Sequence, residues 1–317
     1  MNALSWMRSN RWSFAAAGVV TVWLLLSVIT SHFTLNSLTG VASTASFLAI
    51  VAIGQMFVVG SGGGNIDLSL PGVMTVSAFA TMILSQGTNA GLLWALPAVL
   101  AIGLATGAAN AFLVVKLRIP AIIATLAVGY MLDSATLIAN RHLEVFTVSP
   151  VLRGIASARF AGIPTILLLA LAVIGLAGVI VQKTSYGRTL MAVGQNAAAA
   201  HLAGARVGRT VTGAFLISSV LGALGGALLS AHAGGAFLQM GEPYLLQSVG
   251  AVVVGGTLIT GGSVTALGTF LGSILLVLLV TTMQVSGWSP GPQEVVQGVM
   301  IIAILAAAGS GIGARSS

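Results

Sequence analysis

Cysteine is absent from this 317-residue chain, which removes disulfides, thiolate metal sites and cysteine nucleophiles together. Charge is nearly absent as well: Asp, Glu, Lys and Arg make up 5% of the residues, against roughly a quarter in a soluble domain. The only lysines, Lys116 and Lys183, follow Val115 and Gln182, so the Gly-Lys-Ser/Thr core of a phosphate-binding P-loop occurs nowhere. The four histidines, His32, His142, His201 and His232, show no His-Glu-x-x-His spacing and no close carboxylate cluster, which argues against a zinc site. No catalytic residue and no metal ligand can be assigned, and the chain is expected to bind no cofactor of its own.

What the chain does have is apolar surface. Its hydrophobic fraction is 57% and its mean hydropathy +1.06, values that belong to a polytopic membrane protein. No segment is both long enough and polar enough to fold a core in water, so residues 1–317 read as a single transmembrane domain. The net charge of +7 does not point to nucleic acid, because the basic residues sit thinly at the ends of apolar runs, where topology explains them.

Apolar runs fall at 14–29, 41–60, 70–84, 92–115, 120–139, 163–181, 211–231, 246–259, 266–283 and 295–308. The first has no convincing small-x-small cleavage site after it and is kept as a span. The expected fold is therefore all-α, with about ten transmembrane helices, of which the short ones are broken or re-entrant. With the N-terminus inside, Arg8, Arg11, Lys116, Arg118, Lys183, Arg188, Arg206, Arg209 and Arg315 are cytoplasmic. Only Arg141, Arg153 and Arg159 then lie outside, and Glu144, Glu242 and Glu294 fall at or near the external face. Both termini are cytoplasmic in this arrangement. The interval 141–162 becomes an external loop, either a docking place for an extracytoplasmic partner or a plain solvated connection.

The interval 183–210, KTSYGRTLMAVGQNAAAAHLAGARVGRT, organises the second half because it lacks any membrane-length apolar run and carries four cations. Gly194 and Gly204 bracket a block in which Asn196 is an N-cap and alanine favours a short helix. Two turns are marginal in water. Two readings follow, an ordinary basic loop or a segment braced by a cytoplasmic motor protein.

Glycines at close spacing inside the runs, Gly103 with Gly107, Gly222 with Gly225 and Gly226, and Gly268 with Gly272, predict close helix packing. Two other glycine clusters, at 60–72 and 253–268, each join a break to a helix start, and their matching character hints at an internal repeat. Asp133 lies within an apolar run, where a carboxylate costs at least ~2.5 kcal/mol; it either lines a solvated path or reaches the outer interface. Asp67 follows the first glycine break beside Asn65 and either meets a polyol or caps the next helix. Two candidate aspartates make a thin proton relay, so energy is expected from outside the chain.

Four motifs carry a family resemblance: GQMFVVGSGGGNIDLSLPG from Gly54, IPAIIATLAVGYM from Ile119, YGRTLMAVGQNAAAAHLAG from Tyr186 and VVVGGTLITGGSVTALGTFLG from Val252. Over nearly its whole length the chain resembles the ribose-type permease subunits of bacterial ABC monosaccharide importers, of the branched-chain amino acid/ribose-type binding-protein-dependent permease family. The resemblance implies that 183–210 holds the cytoplasmic coupling helix that sits in a cleft of the ATPase, with Gly187, Arg188, Gly194, Asn196, Ala199, Ala200 and Gly204 as the coupling residues. Asn65, Asp67 and Asp133 are expected along the substrate path. Where family members carry acidic residues after the motif asparagine this chain has Ala197 and Ala198, Ala205 replaces an isoleucine, and an extra Gly and Asn precede Ile66.

The implied function is the permease subunit of an ATP-driven importer in the bacterial inner membrane, moving a monosaccharide or similar small polyol. The implied partners are an ABC ATPase that uses ATP and Mg2+, a periplasmic sugar-binding protein, and a second permease subunit, identical or not; nucleic acid is not among them. A secondary sugar carrier or facilitator working without an ATPase is the alternative.

Overall fold

The computed structural model of the chain describes residues 12–30, 35–142 and 147–313. Arg8, Arg11, Arg315, His32 and Glu144, on which parts of the charge and histidine readings fall, lie outside the described residues. Thirteen α-helices are present among the described residues. The first half holds α1 (Trp12–Thr30), α2 (Leu35–Gly60), α3 (Leu70–Ser85), α4 (Leu92–Ala111) and α5 (Ala121–Asn140). A π-helical turn, Phe112–Lys116, extends α4. A short helix α6 (Pro150–Ser157) and the antiparallel strands β1 (Arg159–Phe160) and β2 (Ile163–Pro164) follow. The second half holds α7 (Thr165–Lys183), α8 (Ser185–Gln195), α9 (Ala197–Leu202), α10 (Val207–Ala233), α11 (Tyr244–Val254), α12 (Ala266–Val285) and α13 (Pro290–Gly313).

The all-α membrane architecture is as expected, but the count of about ten spans is met only in part. Seven helices, α1, α2, α4 with its π turn, α5, α7, α10 and α12, are long and apolar enough to cross a membrane among the described residues. The runs at 70–84 and 246–259 form α3 and α11, of 16 and 11 residues. At about 1.5 Å per residue they fall short of the ~30 Å hydrocarbon core.

Helix α2 is the axis of the bundle, with 89% of its apolar window buried, whereas α1 and α7 are 22% and 28% buried and form the periphery. Phe47, Phe57, Phe79 and Phe215 are among its largest fully buried side chains. Helix α10 packs along α2, α3 and α4, and α12 packs against α1, α2 and α11. The closeness depends on small residues, since lipid supplies no hydrophobic drive between helices. A Cβ on Gly103 or Gly107 of α4 would come within 2.8 Å of the α10 backbone at Val220 or Leu216. Gly226 of α10 abuts Met74 of α3, and Gly268 and Gly272 of α12 abut Gly255 and Ala251. These are the spaced glycines expected to pack helices.

Candidate functional site

Within the interval 183–210 two short helices, α8 and α9, form on either side of Asn196. The Thr184 side chain caps α8 by accepting from the Gly187 N–H at 3.1 Å. Asn196, in extended conformation (φ −159°, ψ 102°), ends α8 and starts α9, its Oδ1 accepting from the Ala199 N–H at 3.0 Å. One residue thus supplies both the turn and the cap, as its side chain predicts. Helix α9 closes at Gly204, whose φ of +87° suits glycine, and the Ala205 N–H returns to the Ala200 carbonyl at 2.9 Å.

The seven residues expected to couple divide into two sets. Gly187, Gly194 and Ala200 face the bundle: a Cβ on Gly187 would overlap the Ile180 and Val181 carbonyls at the end of α7, and Ala200 is buried. Arg188, Asn196, Ala199 and Gly204 are exposed. Leu202, at 89% exposed, is an apolar side chain standing free at the end of α9. A cavity of about 550 Å³ opens beside it, lined by His201, Gly204, Arg206 and Arg209. Tyr186 ties α8 to α10 by donating its hydroxyl to the Thr210 carbonyl at 3.1 Å, and its ring lies 6.3 Å from that of Phe57. Burial raises its hydroxyl pKa above the ordinary tyrosine range, so it remains a donor.

Gly194 is where three separate motifs meet. A methyl group there would overlap the Gly60 carbonyl oxygen at the end of α2 and the Gly262 amide in the break before α12. The same two groups bond to each other, Gly262 N–H donating to the Gly60 carbonyl at 3.1 Å, and Gln195 Nε2 donates to the Gly262 carbonyl at 3.2 Å. Gly62 (φ +74°) and Gly261 (φ +87°) complete the contact in left-handed conformations that side chains resist. The glycine-rich breaks of the two halves therefore meet each other and α8 backbone to backbone, with the Gln195 side chain as a further tie.

Above this junction lies a buried polar knot. Asp67 is 1% exposed. Its Oδ1 accepts from the Ser69 N–H at 3.0 Å and the Ser69 hydroxyl at 2.6 Å, and its Oδ2 accepts from the Ser218 hydroxyl of α10 at 2.8 Å. Its own N–H donates to Gln55 Oε1 of α2 at 3.2 Å, and Asn110 Nδ2 of α4 reaches Ser69 Oγ at 2.8 Å. Thr125 of α5 joins through the Leu68 N–H at 3.0 Å. A carboxyl group so fully buried is tolerable because donors surround it. Asp67, Leu68 and Ser69 together thus fasten α2, α4, α5 and α10 around the break.

Asn65 is half-buried and donates to the Ser61 hydroxyl at 3.0 Å, on the break but apart from the knot. Asp133 is exposed, stands against the Gly72 backbone, and makes no hydrogen bond with another described residue. The three path residues do not form one cluster. Sequence reasoning missed Gln55, Asn110 and Ser218, although the signal was present: each is a polar residue inside an apolar run. The run Gly287-Trp-Ser-Pro-Gly291 has the Gly-x-Ser-x-Gly spacing of a hydrolase elbow, but it joins α12 to α13 rather than a strand to a helix.

Comparison with known proteins places this arrangement. Residues 37–305 match the branched-chain amino acid transport system / permease component family, and the chain belongs to that family. The ribose import permease protein of Escherichia coli (strain K12) is 30% identical over 303 residues, covering 93% of this chain and 93% of that protein. The autoinducer 2 import system permease protein LsrC of Klebsiella pneumoniae subsp. pneumoniae is 30% identical over 297 residues, 93% of this chain and 86% of that protein. The inner membrane ABC transporter permease protein YjfF of Escherichia coli (strain K12) is 32% identical over 250 residues, 76% and 74% of the two chains. No solved structure matches at a significant level. The resemblance read from the four motifs is borne out, and the chain is a multi-pass membrane protein of a transport family.

Proposed function

We propose that this chain is the membrane-spanning permease subunit of an ATP-driven ABC importer, working as a dimer to pass a monosaccharide or similar small polyol that a periplasmic binding protein delivers. The observation that carries the reading is the seat of α8 on both glycine-rich breaks at Gly60–Gly62 and Gly261–Gly262. A push on the exposed end of α9 passes through α8 to the end of α2 and the break before α12, where Gly194 meets Gly60 and Gly262 backbone to backbone. The ATPase grips the 183–210 interval, uses ATP and Mg2+ on its own residues, and shifts the bundle between outward and inward access by its different affinity for the two states. This chain holds no cofactor. It forms one permease domain of about ten spans in the bacterial inner membrane, with both termini cytoplasmic.

Within that cycle Asp133, free of hydrogen bonds to other described residues, is the acceptor a passing hydroxyl can use. Asp67 holds the break shut in this conformation, and Asn65 lies beside it. The named relatives import ribose and autoinducer 2, which supports a small polyhydroxylated cargo here. Proteoliposomes test the reading. The chain alone is expected to be inert under a proton or sodium gradient, and to accumulate sugar when ATPase, binding protein and ATP are added. Concentrative uptake by the isolated chain would overturn it. Gly204→Trp, which fills the exposed end of α9, is expected to abolish ATPase association without impairing membrane insertion.

A further inference from the structure

The chain keeps its two kinds of charge apart. Its five acidic residues are Asp67, Asp133, Glu144, Glu242 and Glu294, so none falls in 68–132 or 145–241. Four cations that come from those stretches, Lys116, Arg118, Arg206 and Arg209, stand where membrane-length helices meet the surface: α4 with its π turn finishes at Lys116, and α10 starts at Val207. Asp67 is buried and already bonded within its knot. Glu242 lies past Ala233, at the opposite end of α10, and that helix of 27 residues is about 40 Å long. Among the described residues the four cations therefore have no acidic partner.

Packing gathers them into one place. A Cβ on Gly208 would come within 2.9 Å of Val115 Cγ1, so the π turn that carries Lys116 and leads into Arg118 lies alongside the first turn of α10. Two cavities open there. One, of about 550 Å³, is lined by His201, Arg206, Gly208 and Arg209. The other, of about 420 Å³, is lined by Ser185, Thr189, Arg206 and Arg209. The two arginines are thus common to both cavities. The surface beside the cations is apolar, since Phe112 and Leu117 on the α4–α5 connection are each more than half exposed.

We propose that the cleft between the α4–α5 turn and the start of α10 binds the headgroup of an anionic phospholipid, with Arg206 and Arg209 on the phosphate, Lys116 and Arg118 as outer cations, and acyl chain along Phe112 and Leu117. Guanidinium groups present planar forks that match phosphate oxygens, and residues three apart at a helix start lie on one face. Basic pockets between membrane helices at the surface are suited to anionic headgroups. A free phosphate ion would use the arginines alone, whereas a lipid uses the apolar wall as well. The bound lipid ties the end of α4 to the start of α10 at the contact between Val115 and Gly208. Such a site forms whichever side of the membrane the cations face.

Native mass spectrometry of the full-length chain in mild detergent, titrated with phosphatidylglycerol or with phosphatidylcholine, provides the test. Phosphatidylglycerol is expected to be retained in preference, with affinity that falls as salt rises. Arg206→Gln/Arg209→Gln is expected to weaken its binding roughly twentyfold, about fivefold for each charge removed, and Lys116→Gln/Arg118→Gln to weaken it several-fold. Neither change should alter retention of phosphatidylcholine. Arg153→Gln/Arg159→Gln removes the same charge elsewhere on the chain and is expected to leave phosphatidylglycerol binding as it was. Equal retention of the two lipids, unaltered binding in both cleft variants, or an equal loss in the Arg153/Arg159 variant overturns the site. Inorganic phosphate that raises the unfolding temperature as much as phosphatidylglycerol does makes it a free-anion site and overturns the lipid. Expulsion of the retained lipid when the ATPase is added assigns the cations to that protein contact instead, which overturns the lipid site and leaves the transport reading in place.

Discussion

Replacing Gly194 by alanine places one methyl group in the contact that joins α8 to both glycine-rich breaks. That methyl would lie 2.8 Å from the Gly262 Cα and overlap the Gly60 carbonyl oxygen and the Gly262 amide, all of them backbone atoms. Since ordinary carbon–oxygen contacts begin near ~3.3 Å, α8 must move outward by on the order of 1 Å, or the breaks must part. Overpacking of this kind costs about 1–3 kcal/mol. The Gly262-to-Gly60 hydrogen bond at 3.1 Å lies in the same gap, and losing it costs about 1 kcal/mol more. Expressed in coupling, about 2–4 kcal/mol corresponds to a loss of roughly thirtyfold to a thousandfold. The exposed residues of the interval are untouched, so ATPase association is expected to persist. Gly204→Ala is the control: nothing lies within 4 Å of its Cβ position and only its φ of +87° opposes the change, a local cost of about 1–2 kcal/mol. ATP-driven uptake in proteoliposomes, co-purification with the ATPase and thermal unfolding should be measured together. Gly194→Ala that transports as well as Gly204→Ala and unfolds at the wild-type temperature would refute the backbone junction.

Asp67→Asn keeps the volume but puts an amide nitrogen, which cannot accept, where a carboxyl oxygen accepts from Ser69 or Ser218; with a buried donor left unpaired costing about 1–3 kcal/mol, detergent-unfolding midpoints should drop clearly, and Ser218→Ala should lower them by a smaller step. Asn196→Ala removes the cap of a six-residue helix, a loss of about 1 kcal/mol, and hydrogen exchange at 197–202 should quicken with a parallel loss of ATPase affinity. Tyr186→Phe deletes the bond to the Thr210 carbonyl while keeping the ring beside Phe57; a cost of about 1 kcal/mol should appear as faster exchange in α8, and protection equal to wild type would remove that bond from the account.

Much of the candidate site was legible because its signals are local. Asn196 followed by alanines announces a capped turn, and the short runs at 70–84 and 246–259 announce helices too brief to span. Asp67 was visible as an intramembrane charge, but whether it meets cargo or helix could not be read from the residue itself. The split of the coupling residues into an inward set, Gly187, Gly194 and Ala200, and an outward one was also hidden. It depends on the angle between α8 and α9, which the sequence sets only through one extended residue, Asn196.

By itself the sequence determined that this chain lives in a membrane, roughly where its long apolar helices lie, and which side chains are too polar to be idle there. Hydrophobicity, caps and helix propensity act within a few residues, so a linear reading captures them. Only the tertiary structure decided that Gly60, Gly194 and Gly262 share one contact and that Gln55, Asn110 and Ser218 close on Asp67. Glycine has no side chain with which to announce a partner, and an apolar run does not say which of its faces meets which neighbour. Those pairings come from how the whole bundle closes, where backbones approach wherever nothing larger than hydrogen stands between them.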